Sequence, residues 1–168
     1  YSLYLREETE VRALLYAATS PPPGLADFLG VSQITAPADV FRWSNRPAWL
    51  PMITAGQQPV YLYTAGALKA MAADSFDPRQ TVLLPPQARS FVTVTNRTDA
   101  RILRRSAGAR RVECEIECAR ASMVVIAQTW HPAWRACVDE ERVPLLRANH
   151  AFQALEVPAG RHVVKLVH

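Results

Sequence analysis

Between Arg111 and Cys118 the chain alternates without a break. Val112, Cys114, Ile116 and Cys118 fall on one side of an extended strand, and Glu113, Glu115 and Glu117 on the other. A helix cannot satisfy a period of two. Three carboxylates must stay wet while four apolar side chains are buried, so this strand belongs to a sheet with one packed and one solvated face. Downstream, Met123 to Ala127 is apolar without alternation and reads as a central strand. Trp134 to Val138 and Arg142 to Leu146 flank the acidic turn Asp139-Glu140-Glu141, and Phe152 to Val157 and His162 to Val167 flank Pro158-Ala159-Gly160-Arg161. Upstream, Ser90 to Asn96 sets Val92 and Val94 against Phe91, Thr93 and Thr95; Ala100 to Arg104 follows, then a turn over Ser106-Ala107-Gly108-Ala109. Short strands with turns at regular spacing predict an antiparallel β-sandwich, jelly-roll or immunoglobulin-like, over residues 86–168.

The first half differs in pattern, and the whole chain is expected to be α+β, with a mixed α/β part over residues 1–85. Leu3, Tyr4, Val11, Leu14, Leu15 and Ala18 share one helical face over residues 3–18, and Ser20-Pro21-Pro22-Pro23-Gly24 ends that helix. A short helix from Leu25 to Leu29 closes at Gly30. Val31 to Thr35, Val40 to Ser44, Trp49 to Thr54, Val60 to Tyr63 and Thr81 to Leu84 are strand candidates; Pro47 and Pro51 restrict the second and third to edges or short pieces. Ala65 to Ala73 favours helix.

The chemistry is sparse. No Gly-rich phosphate loop, Gly-x-Ser-x-Gly elbow, His-Glu-x-x-His pair or Cys-x-x-Cys pair is present, so no catalytic residue, metal ligand or cofactor is expected. Asp74 with Asp77, and Asp139 to Glu141, bring carboxylates close, but both groups sit in turns, where Asp bonds locally. Cys114 and Cys118 lie roughly 13 Å apart along one strand, too far to bridge; either could meet Cys137, though three buried free thiols are the simpler expectation. No run of 18 apolar residues exists to span a bilayer. The chain begins inside an amphipathic pattern and stops just after a strand, as an excised piece of a longer protein would.

Two groups of residues are candidates for binding. Trp130, Trp134 and Phe152, with Asp139, Arg147 and Asn149 nearby in sequence, are candidates for a glycan site, because sugars take aromatic faces together with planar hydrogen-bonding groups. Arg101, Arg104, Arg105, Arg110 and Arg111 surround one hairpin turn and are candidates for contact with anionic lipid headgroups. Nucleic acid is not expected: the net charge is only +4, and no aromatic-and-basic platform is present. Seventeen of the nineteen basic residues are Arg, which suits a biased genome as well as it suits anion recognition.

One segment is more specific. In residues 124–168, Trp130, Pro132 and Trp134 form an aromatic turn, and Val138-Asp139 opens a hairpin. Ala148-Asn149 and Phe152 follow, and then Val157-Pro158-Ala159-Gly160, His162 and Val164. This series resembles the C-terminal extracytoplasmic region of the YfhO-like family of bacterial multi-spanning membrane proteins, which is related to lipid-linked-sugar glycosyltransferases. Leu29-Gly30-Val31, Asn45 with Leu50-Pro51, and Phe76-Asp77-Pro78-Arg79 extend the resemblance upstream. Ala133 and Glu140 stand where that family has Gly, Met52 where it has Arg, and His168 where it has Tyr or Phe. Glu140 is expected to change the turn type, since Glu resists positive φ. The resemblance implies a non-catalytic scaffold, lid or acceptor- or glycan-recognition element on the outer side of the bacterial inner membrane. Its partner would be the membrane-embedded remainder of its own chain, with a glycan or lipid-linked sugar as ligand, and any sugar-transfer chemistry would lie elsewhere in that chain. The alternatives are an independent carbohydrate-binding β-sandwich, and an interaction module for a protein or a membrane surface.

Overall fold

The computed structural model describes residues 6–17, 21–36 and 39–168. In chain order its elements are α1 (Arg6–Ala17), α2 (Pro23–Phe28), β1 (Gln33–Ala36), β2 (Asp39–Asn45), β3 (Ile53–Ala55), β4 (Gln58–Tyr61), α3 (Thr64–Ala72), β5 (Thr81–Leu84), a 3₁₀ turn (Pro86–Phe91), β6 (Ala100–Ala107), β7 (Arg111–Cys118), β8 (Ser122–Ile126), β9 (Arg135–Val138), β10 (Glu141–Val143), β11 (Leu146–Ala148), β12 (Phe152–Val157) and β13 (Gly160–Val167). The fold is α+β, with a β-sandwich as its larger part. Among the described residues no helix is long and apolar enough to cross a membrane.

The alternating strand sets the architecture. β7 lies inside an antiparallel five-stranded sheet of order β10-β9-β13-β7-β6. Its apolar row faces a four-stranded antiparallel sheet, β11-β12-β8-β3, and the space between them is filled by Val112, Ile116, Val138 and Leu166 from one side and Ile53, Val124, Ile126 and Leu155 from the other. Each fully buried aliphatic side chain of this kind contributes roughly 1.5–3 kcal/mol over leaving it in water. On the wet face the three glutamates meet cations across the strands: Lys165 is opposite Glu113, Arg104 is opposite Glu115, and Arg101 and Arg161 are both opposite Glu117. Opposite charges at such positions stabilise a sheet modestly.

The unbroken apolar run of β8 has a direct cause. Val124 and Ile126 point into the sandwich, while Met123 and Val125 point the other way into a second core with Leu25, Phe28, Met71 and Phe152. The four-stranded sheet is therefore covered on both faces, by the five-stranded sheet and by a helical layer, and has no solvated side that would call for alternation. In that layer β4 and β5 run parallel, joined by α3, as a parallel pair requires. α2 is closed by Gly30, just past the cap residue Leu29; the Gly30 φ of +68° suits the residue after a helix end.

The structure revises several sequence expectations. Residues 90–96 do not form a strand. Val94 is buried and Phe91, Thr93 and Thr95 are exposed, as alternation requires, but among the described residues no strand pairs with them. The Glu156 carboxylate instead accepts the Thr93 N–H at 2.7 Å, the Thr93 hydroxyl at 2.6 Å and the Val94 N–H at 3.1 Å. Trp49 to Thr54 shortens to β3, and Arg142 to Leu146 divides into β10 and β11 around Pro144. β6 runs on to Ala107, into the first half of the expected turn, and the connection to β7 is residues 108–110. Residues 3–5 and 18 of the expected first helix lie outside the described residues. Cys114 and Cys118 are buried and free. Cys137, opposite Lys165, lies on the wet face of the sheet, so it cannot meet Cys114 on the inner face.

Across residue 86 the chain is continuous in both packing and hydrogen bonding. β3 joins β8, and the second core mixes residues from both halves.

Candidate functional site

Ala148 pairs with Phe152, so Asn149, His150 and Ala151 make the loop between β11 and β12. Asn149 and His150 take positive φ values of 44° and 67°, a conformation Asn tolerates better than most residues. The loop is pinned to β5. The Asn149 N–H donates to the Leu83 carbonyl at 2.7 Å, and Asn149 Oδ1 accepts the Leu83 N–H at 2.9 Å. Arg147 and His150, on either side of Asn149's anchor, reach α1. Arg147 Nη1 donates to Glu7 Oε1 at 2.7 Å, and His150 Nε2 lies 2.8 Å from Glu10 Oε2. The guanidinium of Arg147 also rests 4.4 Å from the centre of the Trp130 ring.

Both glutamates are held below the ordinary carboxylate range. For Glu7 the main cause is a backbone hydrogen bond, offset in part by burial, with Arg147 adding its charge and its hydrogen bond. For Glu10 the causes are hydrogen bonds from Arg6 and then His150. Arg147 and His150 also line a half-open cavity of about 250 Å³, walled by Leu62, Ala67, Leu83 and Leu84, with Thr64 as its further polar lining. An apolar pocket with a few convergent polar groups is the usual form of a small-molecule site.

The other sequence candidates disperse. Trp134 is only 5% exposed: it packs in the sandwich core, its ring edge-on to His168 at 5.2 Å, and it offers no open face for stacking. Phe152 is buried in the second core, edge-on to Phe28 at 4.9 Å. Asn149 is consumed by Leu83, as above. Asp139 lies apart, in the β9–β10 turn, where Oδ1 accepts the Val163 N–H at 2.8 Å and Oδ2 is 2.6 Å from His162 Nδ1. The Val163 bond and then the His162 bond hold the Asp139 carboxyl low, and the Asp139 bond raises His162. Of the six, Trp130 and Arg147 meet through their side chains, and Trp130 and Trp134 line one open pocket of about 260 Å³.

The five arginines are all exposed, but they do not share one face. Arg101 and Arg104 lie opposite Glu117 and Glu115 on the wet face, and Arg111 pairs with Glu113 at 2.7 Å. A bulge between Ile102 and Arg104 shifts the register, and Arg105 then falls opposite inward-facing Cys114. A charge aimed inward on an edge strand discourages strand addition there.

The most exposed aromatic surface lies elsewhere. β1 and β2 form a two-stranded ribbon that belongs to neither large sheet; on β2, Phe41 is 89% exposed and Trp43 61%. The ribbon's base is fixed by Arg46, which donates to the Val31 carbonyl at 2.8 Å and to Asp27 at 2.7 Å. In sequence, Val40 to Ser44 signals a strand, but nothing local tells that both of its faces would be left open. His150 was missed as a site residue because its partner, Glu10, is 140 positions away.

No family model matches the chain, and no curated protein or solved structure matches it either.

Proposed function

We propose that this chain is a non-catalytic docking domain of a larger bacterial membrane protein. As the YfhO-like resemblance implies, it would act on the extracytoplasmic side as a scaffold, lid or recognition element. The β1–β2 ribbon carries the reading. A two-stranded ribbon is marginal in water on its own, and one that holds Phe41 and Trp43 in solvent is completed by a surface that covers them. The membrane-embedded remainder of the same chain is that surface. The titratable groups fit a structural role: Asp27 is clamped by two arginines, Asp139 by His162 and Val163, and His150 by Glu10. Each is engaged in holding elements together rather than poised beside a nucleophile.

The test uses the full-length protein in its membrane. A photo-crosslinking residue at Phe41 should capture a membrane-embedded segment of the same chain, and Asp139→Ala and His162→Ala should leave turnover intact. Capture of lipid alone, or abolition of turnover by either alanine in a folded protein, would overturn the reading.

A further inference from the structure

We propose that the cavity behind Arg147 and His150 binds a small amphiphilic anion, with a carboxylate or phosphate head on those two residues and a short apolar tail in the cavity. The proposal is independent of the docking role. Three observations carry it. First, the walls are apolar, from Leu62, Ala67, Leu83 and Leu84, while the donors converge at one place. Second, those donors already hold the functional group in question: the Glu7 and Glu10 carboxylates sit on Arg147 and His150 at 2.7 Å and 2.8 Å, so α1 acts as the site's internal ligand. Third, the receptor is held in place by contacts of its own. Trp130 supports the guanidinium plane, and Asn149 ties the intervening backbone to β5 at two points. A preorganised guanidinium suits carboxylate and phosphate alike. At about 250 Å³ the cavity falls below the usual range for drug-sized ligands, which selects a head with a short tail.

The step is an exchange of hydrogen bonds. The incoming anion takes the donors of Arg147 and His150, and Glu7 and Glu10 turn out to water. Removing the internal competitor should therefore tighten binding. Hexyl phosphate is titrated while the amide shifts of Leu83 and the side-chain N–H signals of Arg147 and His150 are followed by NMR. The Glu7→Gln, Glu10→Gln double variant should bind it about tenfold more tightly than the unaltered protein. Ala67→Leu, which narrows the cavity by three added carbons, should weaken binding, and Arg147→Gln, which removes the fork, should abolish it, both without loss of the folded spectrum. Hexanol and inorganic phosphate should bind far more weakly than hexyl phosphate. No saturable response in the double variant would overturn the proposal. So would unchanged affinity in Ala67→Leu, or inorganic phosphate binding as tightly as hexyl phosphate. A parallel titration with dihexanoyl phosphatidic acid separates the sources: tighter binding than hexyl phosphate assigns a lipid headgroup, and weaker binding assigns a free ester.

Discussion

Glu140 occupies a backbone conformation that its side chain disfavours. Asp139 and Glu140 have φ of 50° and 73°, both left-handed, between Val138 and Glu141, which pair across the hairpin. The turn is thus of the primed kind that matches strand twist, although the sequence predicts that Glu at this place would force another type. The neighbours prevail: Asp139 is fixed by Val163 and His162, and the ladder closes directly beyond Glu141. Glu140 absorbs the strain, of about 1 kcal/mol. Glu140→Gly should therefore raise the free energy of unfolding by about 0.5–1 kcal/mol, with the exposed Lys165 contact a minor loss. Urea denaturation measures it, and a decrease would show that the Lys165 contact outweighs the strain.

α1 is the element whose attachment depends most on charge. Val11 is buried, with Leu14 and Leu15 packed beside it, but Glu7 and Glu10 supply the polar bonds to Arg147 and His150. Both carboxyls have folded values below 4.5, so their contribution is fully present above that pH and is lost as pH falls through the lower folded values. Amide exchange at Val11 and Leu14 should accelerate below about pH 4 while β7 stays protected, and Glu7→Gln with Glu10→Gln should remove that pH dependence. Equal acceleration in α1 and β7 would show that the helix has no separate release. Elements were legible in sequence wherever one chain segment decided them. β7 was clear from strict alternation, and β5 from an apolar run stopped by prolines. Residues 90–96 were not. Their alternation correctly told which side chains are buried, but strand pairing depends on a partner, and Glu156 satisfies those N–H groups instead.

For the molecule as a whole, Asp27 is the knot of the first half. Its carboxylate holds Arg46 at 2.7 Å and Arg79 at 2.6 Å, its carbonyl accepts the Leu50 and Gly30 N–H groups, and the adjoining turn of α2 packs so closely that a Cβ on Gly24 would lie 1.8 Å from the Phe76 carbonyl oxygen. Leu29-Gly30-Val31, Leu50-Pro51 and Phe76-Asp77-Pro78-Arg79, scattered in sequence, thus converge on one residue. Asp27→Asn should destabilise the protein by about 3 kcal/mol, since it leaves the largely buried Arg46 without its counter-charge. Thermal or urea unfolding checks this; a loss under about 1 kcal/mol would show that the carbonyl contacts alone suffice. The same separation explains what the sequence concealed. The fold class followed from local patterns, whereas Asp27 with Arg79, Asn149 with Leu83 and Glu10 with His150 are joined over 52, 66 and 140 positions, and no local signal marks such pairs. β3, a strand of three residues flanked by Met52 and Gly56, covers one edge of β8. A chain cleaved or translated without it would bare an edge of Ser122–Ile126, an uncharged run of high β propensity, so a strand of three residues is also what keeps the molecule from recruiting copies of itself into aggregates.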